Sequence, residues 1–319
     1  ISPNDINAAK PGVLDKLVLN PAIKEQVQVG LESAWQTGGK YPSALMTGPP
    51  GLGKTLLAQI IAKEMGCELR EQIGLNFFSQ GSISGFLIEM DDREVCLIDE
   101  LCGVAPNLQV HLYRALEDGK VWLDGGKEAG EAIQLRDFTL LACSNNEHSI
   151  VRPLRERFSQ IFRFDFYTTD ELVQLLKQKV TMLGWEVDEN DSIIEMVAAR
   201  GRGTPRIALR LLESCRRTAN SEGCDVITAA HVERTCRLES IDEIGLDALE
   251  MKYLNMLLDS GGKQRVTVLA SMLGLPMKTL SEVVEAHLLR LGFINRSPDG
   301  RELTVKGRQH LQEASAKDG

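Results

Sequence analysis

Short apolar runs and helically spaced apolar positions alternate along the first 165 residues. Ala44-Leu45-Met46 is a short apolar run ending in a Gly-rich turn, and Leu56 to Met65 continues with apolar residues at helical spacing. Val95-Cys96-Leu97-Ile98 is a second run, and Phe138 to Cys143 a third. A strand buried on both faces reads as a continuous apolar run. Such strands separated by helices predict a parallel sheet covered on both sides, the α/β arrangement. From Asp170 the apolar spacing turns helical and strand signals fade, which predicts a small helical domain up to about residue 240. A third unit starts near Gly245. Its helices run into Leu291-Gly292-Phe293-Ile294-Asn295-Arg296, then Pro298-Asp299-Gly300, then Glu302-Leu303-Thr304-Val305. Two short strands around a Pro-Asp-Gly turn predict a β-hairpin, and helices followed by such a hairpin outline a winged helix. The expected domains are 1–167, 168–243 and 244–319.

Composition narrows the class. A chain of 319 residues is too long for one compact core. Its 43% apolar and 25% charged residues are an ordinary globular balance. No run of 18 apolar residues occurs, so no membrane span is expected. Ile1 to Lys10 are polar and lack the basic-then-apolar order of a secretion signal. The seven cysteines are scattered, odd in number and never in a C-x-x-C pair. That favours free thiols and a cytoplasmic location over a disulfide framework or a zinc site. The net charge of −9 argues against a nucleic-acid binder taken whole. From Gly261 onward, however, nine Lys/Arg face six Asp/Glu, while the remaining chain carries 27 against 39. An acidic body with a mildly basic tail suits DNA contact through one small module.

The Gly-rich turn carries the clearest chemistry. Gly48-Pro49-Pro50-Gly51-Leu52-Gly53-Lys54-Thr55 matches G-x-x-x-x-G-K-[ST] in full, between a predicted strand and the helix entered at Leu56. Glycines let the backbone curl so that successive N–H groups face an anion, and the helix N-terminus adds positive potential. Lys54 is expected on the β/γ phosphates of ATP, and the Thr55 hydroxyl on Mg²⁺. Some 45 residues on, Asp99 ends an apolar run and is expected in the Mg²⁺ shell, with Glu100 orienting or deprotonating the attacking water. That adjacent acid points to hydrolysis and not to passive nucleotide binding. Asn145, at the end of Phe138 to Ser144, is placed to bond the γ-phosphate or the water. Arg155 and Arg157, in Arg152-Pro153-Leu154-Arg155-Glu156-Arg157-Phe158, are candidates to reach a neighbouring subunit's nucleotide. Such an arginine finger is worth roughly 10³–10⁵ in rate. Gly203-Thr204-Pro205-Arg206 opens a helix, from which Pro205 and Arg206 would lean back onto the nucleotide. The five histidines show no metal-ligand spacing, and no G-x-S-x-G elbow is present.

With these motifs in place, the chain resembles the RuvB family along nearly its whole length. GPPGLGKT at 48–55 and LIDE at 97–100 are shared with many AAA+ proteins. LYRALED at 112–118, DFTLLACSNN at 137–146, PLRERF at 153–158, FDFY at 164–167 and RGRGTPRIALRLL at 200–212 are more specific. So is LLRLGFINRSPDGR at 288–301. The resemblance implies a P-loop AAA+ domain, a helical lid and a winged helix, assembled as a homo-hexamer around duplex DNA to drive Holliday-junction branch migration. It implies that Lys54, Thr55, Asp99 and Glu100 keep the roles above, that Asn145 is the first sensor and Arg206 the second. One arginine of Arg155 and Arg157, with Arg155 preferred, serves as the finger. Tyr167, Val18 and the residues around Lys10 and Pro11 fall near the adenine, and Arg296 and Arg301 on the DNA backbone.

The chain also departs from the pattern. Cys102 and Gly103 stand where the family usually has His and Arg, Asn145 where it usually has Thr, and Asp299 where the wing is basic. Between Val121 and Leu135 the family carries a hairpin that docks a RuvA partner through apolar residues. Here Asp124 and Gly125 replace apolar positions, while Trp122 offers an apolar anchor to a partner or packs on its own domain. These departures leave open an alternative, an AAA+ ATPase that acts on a protein partner and has lost junction activity.

Overall fold

The structure, a computed structural model, describes residues 13–122, 132–188 and 192–317. It divides into two compact units, residues 1–184 with 203–207, and residues 185–202 with 208–319.

The first unit opens with helix α1, Pro21–Thr37, capped by the Asn20 side chain accepting from the Ala22 N–H. Strand β1, Ala44–Thr47, leads through the Gly-rich turn into α2, Lys54–Glu64. Then follow β2 (Leu69–Ile73), α3 (Gln80–Ile88), β3 (Val95–Asp99) and α4 (Pro106–Asp118). The short pair β4 (Lys120–Trp122) and β5 (Ala132–Gln134) precedes β6 (Thr139–Ser144), α5 (Arg152–Arg155) and β7 (Gln160–Arg163). Helix α6, Thr169–Leu183, starts at a reciprocal cap between Thr168 and Glu171.

Five strands form one parallel sheet in the order β2-β3-β6-β1-β7. Strands β1 and β6 are buried at every position, as their unbroken apolar runs require. Neighbouring residues of one strand point to opposite faces and enter different cores. Met46, Leu97 and Leu141 join Val27, Leu31 and Ile61 on one side. Leu45, Ile98 and Leu140 join Ile83, Leu87 and Leu112 on the other. Because all five strands run the same way, the carboxyl ends of β1, β3 and β6 share one edge, with Thr47 beside Ser144. In open parallel sheets this is the edge at which ligands bind.

The second unit begins with β8 (Glu186–Val187), α7 (Ile193–Arg200) and most of α8, Pro205–Ser221, whose first turn groups with the first unit. Strand β9 (Val226–Ile227) pairs parallel with β8, a strand pair absent from the helical reading of this region, and α9 (Ala229–Glu239) follows. Next come α10 (Ala248–Asp259), β10 (Lys263–Gln264), α11 (Val266–Leu273), and α12 (Met277–Thr279), which passes through a π-turn at Leu280–Val284 into α13, Glu285–Leu291. The hairpin of β11 (Ile294–Ser297) and β12 (Gly300–Leu303) turns at Pro298-Asp299, and α14, Val305–Lys317, closes the chain. The antiparallel sheet β10-β12-β11 covers a core of Tyr253, Leu257, Leu269, Leu288, Phe293 and Leu303, which is a winged helix. Among the described residues no helix is long and apolar enough to cross a membrane.

Candidate phosphate site

The turn after β1 is built so that only glycine fits at its tight points. Gly48 and Gly51 have φ of 139° and 82°. A Cβ on Gly48 would lie 2.3 Å from the Phe164 carbonyl oxygen, and one on Gly51 would lie 2.9 Å from the Arg206 Cβ. The backbone therefore curls closely at both glycines. Lys54, in the first turn of α2, donates from Nζ to the carbonyls of Gly48 and Pro49, each at 2.8 Å. Burial pulls the Lys54 ammonium below the usual lysine range. Cys143 and Asp99 oppose that pull, and the Arg206 charge adds to it.

The same sheet edge brings the acids in. The Thr55 hydroxyl donates to Asp99 Oδ2 at 2.9 Å, and the Glu100 N–H donates to Asp99 Oδ1 at 2.8 Å, so both carboxylate oxygens are held. Glu100 takes a left-handed backbone (φ 53°), uncommon for a residue with a side chain, and its carbonyl accepts from the Gly103 N–H at 2.7 Å. A 3-10 turn, Leu101–Gly103, results. It sets Cys102 against the end of β6, where its thiol donates to Asn145 Oδ1 at 3.1 Å. Two positions that depart from the RuvB pattern are thus in contact. Gly103 also has a local reason, since a Cβ there would meet Leu75 Cγ at 2.9 Å.

The Tyr167 hydroxyl lies between the carbonyls of Val18 (3.0 Å) and Leu52 (3.3 Å), which share its one proton, and burial pushes its pKa up to about 12. Its own N–H donates to Gly203 O at 2.9 Å, while the Arg206 N–H donates to Gly51 O at 3.3 Å. The chain at Gly203 to Arg206, including Pro205 in the first turn of α8, is thereby brought onto the Gly-rich turn. A cavity lined by Leu19, Ile23, Phe164 and Phe166 opens beside Tyr167.

The candidate finger arginines are placed differently. Arg157 pairs with Glu117 and lies over the Tyr113 ring, 5.5 Å from its centroid. Arg155 lies 3.7 Å from Glu147, and its buried Nε finds no acceptor among the described residues. Glu147 is a residue the sequence reading passed over. It accepts from Arg163 at both oxygens, 3.0 and 3.2 Å, and that bond holds its carboxyl below the usual range. Its place two residues after Asn145 was the available signal. Cys102 was visible as a departure, but its partner was not.

In the second unit, Arg296 and Arg301 meet one carboxylate. Glu285 is fully buried. Arg301 Nε bonds both of its oxygens at 2.9 Å, Arg296 Nη2 lies 3.0 Å away, and the Tyr253 hydroxyl donates to it at 3.0 Å. The Arg301 side chain is 13% exposed and that of Arg296 46%, so Arg296 keeps a solvent face and Arg301 hardly any. At the wing tip Asp299 pairs with Lys263 at 3.3 Å. Trp122 is half-buried, its carbonyl accepting from Gln80 at 2.7 Å and its ring 6.0 Å from the Arg114 guanidinium, so it packs on its own unit. Lys10, Pro11, Asp124 and Gly125 lie outside the described residues.

Comparison with known proteins agrees along the chain. Residues 9–164 match the family model of the Holliday junction DNA helicase RuvB P-loop domain. Residues 167–242 match the RuvB AAA lid domain, and 243–312 the RuvB C-terminal winged helix domain. A Holliday junction branch migration complex subunit RuvB from Kosmotoga olearia is 35% identical, over 98% of this chain and 94% of its own. Its namesake from Thermotoga maritima is 34% identical, over 95% and 92%. The solved Thermotoga maritima RuvB Holliday junction branch migration motor superposes with a TM-score of 0.82 at 33% identity, over 95% of this chain and 98% of that one.

Proposed function

The chain belongs to the RuvB family, and on that footing we propose that it hydrolyses ATP to draw duplex DNA through a homo-hexameric ring and move Holliday junctions. The observation that carries this reading is the shared sheet edge, where the Gly48–Thr55 turn, the Thr55–Asp99 bond and Glu100 converge. The backbone amides of Gly51, Leu52 and Gly53 and the Lys54 ammonium cradle the phosphates, with Pro49, Pro50 and Leu56 shaping the turn. Lys54 currently bonds neutral carbonyls, which it can exchange for phosphate oxygens at small cost. Thr55 and Asp99 offer a hydroxyl and a carboxylate to a hard cation. Bound Mg²⁺ would be held from the protein side by Thr55 and Asp99 and would neutralise charge on the β- and γ-phosphates. Glu100 takes the proton of the attacking water, and Asn145 holds that water or the γ-phosphate. Arg206 senses the phosphates from the start of α8, while Val18, Leu52 and Tyr167 form the adenine end. Arg155, whose buried Nε lacks an acceptor among the described residues, serves the neighbouring subunit's site, and Arg157 steadies the same segment through Glu117. Arg296 presents its exposed side to the DNA backbone, and Arg301 supports it from the shared carboxylate. Residues 121–135 are the region at which a RuvA-like partner would dock.

The inward wing arginines and the Lys263–Asp299 pair favour a second reading, an ATPase of the same family acting on a protein. ATP turnover of the wild type and of Lys54→Ala separates the two, measured without DNA, with linear duplex and with a four-way junction, at low and physiological salt. The motor reading expects a several-fold rise with DNA and a fall of roughly 10² or more in the variant, the size seen when one charge-stabilising donor is removed. Turnover that depends on Lys54 but ignores DNA at both salts would leave only the second reading.

A further inference from the structure

We propose that Cys102 is a positioning residue for hydrolysis, acting through Asn145. The inference rests on the reading of this edge as an ATPase site. The left-handed Glu100 and the 3-10 turn behind it set the Cys102 side chain against the end of β6. There its S–H donates to Asn145 Oδ1 at 3.1 Å. An Asn amide has one acceptor end and one donor end. With the acceptor end engaged by the thiol, the amide plane is fixed and the two N–H donors of Nδ2 are turned away from Cys102. A donor is what a γ-phosphate oxygen or the lone pair of an attacking water requires.

The geometry also explains why the two departures occur together. A threonine at this position would present a hydroxyl on a β-branched side chain of restricted rotamer, and would need no partner to orient it. The longer Asn side chain has a second torsion that is broad and roughly two-fold, so its two ends exchange unless something distinguishes them. Cys102 makes that distinction. It touches no reacting atom, and its contribution is to the population of correctly oriented Asn145. Because Cys102 is half-buried and its thiol bonds Asn145 and no atom of the phosphate turn, its removal would act on the chemical step and leave the phosphate cradle in place.

The test is a double-mutant cycle on steady-state ATP hydrolysis by the full chain, with Cys102→Ala, Cys102→Ser, Asn145→Ala and the double Cys102→Ala/Asn145→Ala variant. Losing one orienting hydrogen bond corresponds to a fall of about fivefold in kcat. Cys102→Ala should show that fall with KM for ATP unchanged within about twofold. Cys102→Ser, which keeps a donor of similar reach, should recover most of the rate. In the Asn145→Ala background, Cys102→Ala should have no further effect. The proposal is overturned if kcat of Cys102→Ala stays near wild type, if KM rises in its place, if Ser is as slow as Ala, or if the two losses multiply. Wild-type protein that hydrolyses no ATP would overturn the ATPase reading itself, whereas the preceding outcomes leave that reading standing.

Discussion

The phosphate turn and the wing both gather cations, and they treat them in opposite ways. In the turn, Lys54 donates to two carbonyls, neutral acceptors that cost about 1 kcal/mol each to exchange for a better one. In the wing, Arg301 and Arg296 converge on Glu285, a carboxylate with no solvent exposure. Breaking a buried pair of that kind costs roughly 3–5 kcal/mol, because the remaining charge is left without a partner. Lys54 is thus available to an anionic ligand, and Arg301 is bound into the domain. A motif match reports that a cation is present. Whether it can leave its present partner depends on that partner's charge and burial.

The difference between the two sites rests on Glu285. Glu285→Gln removes the charge that holds both arginines, and should lower the melting temperature of the second unit by roughly 5–15 °C. At temperatures where it stays folded, duplex binding should become tighter and more salt-dependent as the guanidiniums are released. Calorimetry with binding titrations at several salts checks this; an unchanged melting temperature would mean that the pair is not a structural one. A milder change acts at the wing tip. Asp299→Arg frees Lys263 and adds a cation at the exposed wing tip. Duplex affinity should rise several-fold at low salt, and the slope of log K against log salt should steepen by about 1–2. An unaltered slope would place the wing tip away from the phosphates.

The smallest effect concerns Arg202, a further internally paired arginine of the second unit. Arg202 bonds Glu250 at 3.0 and 2.7 Å, and His287 lies among Arg202, Arg290 and Asp247. Burial raises Glu250 to about 7 against the opposing pull of Arg202, so its contribution to stability is complete below pH 4.5 and is lost as pH rises through 7. Burial, with Arg202 and Arg290, lowers His287 to about 3. Its contribution is complete above pH 6.5 and is lost as pH falls towards 3. Between pH 6.5 and 4.5 the two trends oppose each other. Urea unfolding across this range should therefore show Glu250→Gln losing stability on acidification and His287→Gln gaining it, with slopes of roughly 1 kcal/mol per pH unit. Parallel slopes in the two variants would contradict the assignment.

Much of this was legible in the chain. Unbroken apolar runs marked β1, β3 and β6 because a strand covered on both faces has no polar side to show. The Gly-rich turn was legible for a related reason: Gly48 and Gly51 sit where a Cβ would strike Phe164 or Arg206, so their identity records a geometric demand. The short pair β8 and β9 was not legible. Two-residue strands carry too little pattern to register, and their pairing joins positions forty residues apart.

Local sequence set the type of each element and the chemistry available at its ends: a parallel sheet, a phosphate turn, two acids after a strand, a hairpin after helices. These depend on side chains a few residues apart, where spacing and backbone preference are enough. Which groups those ends face came from packing. It placed Cys102 on Asn145 across 43 positions of sequence, gathered Arg155 and Arg163 on Glu147, and turned Arg296 and Arg301 onto Glu285. Hydrogen bonds and ion pairs act over a few ångströms, and only packing determines which distant residues come within that reach.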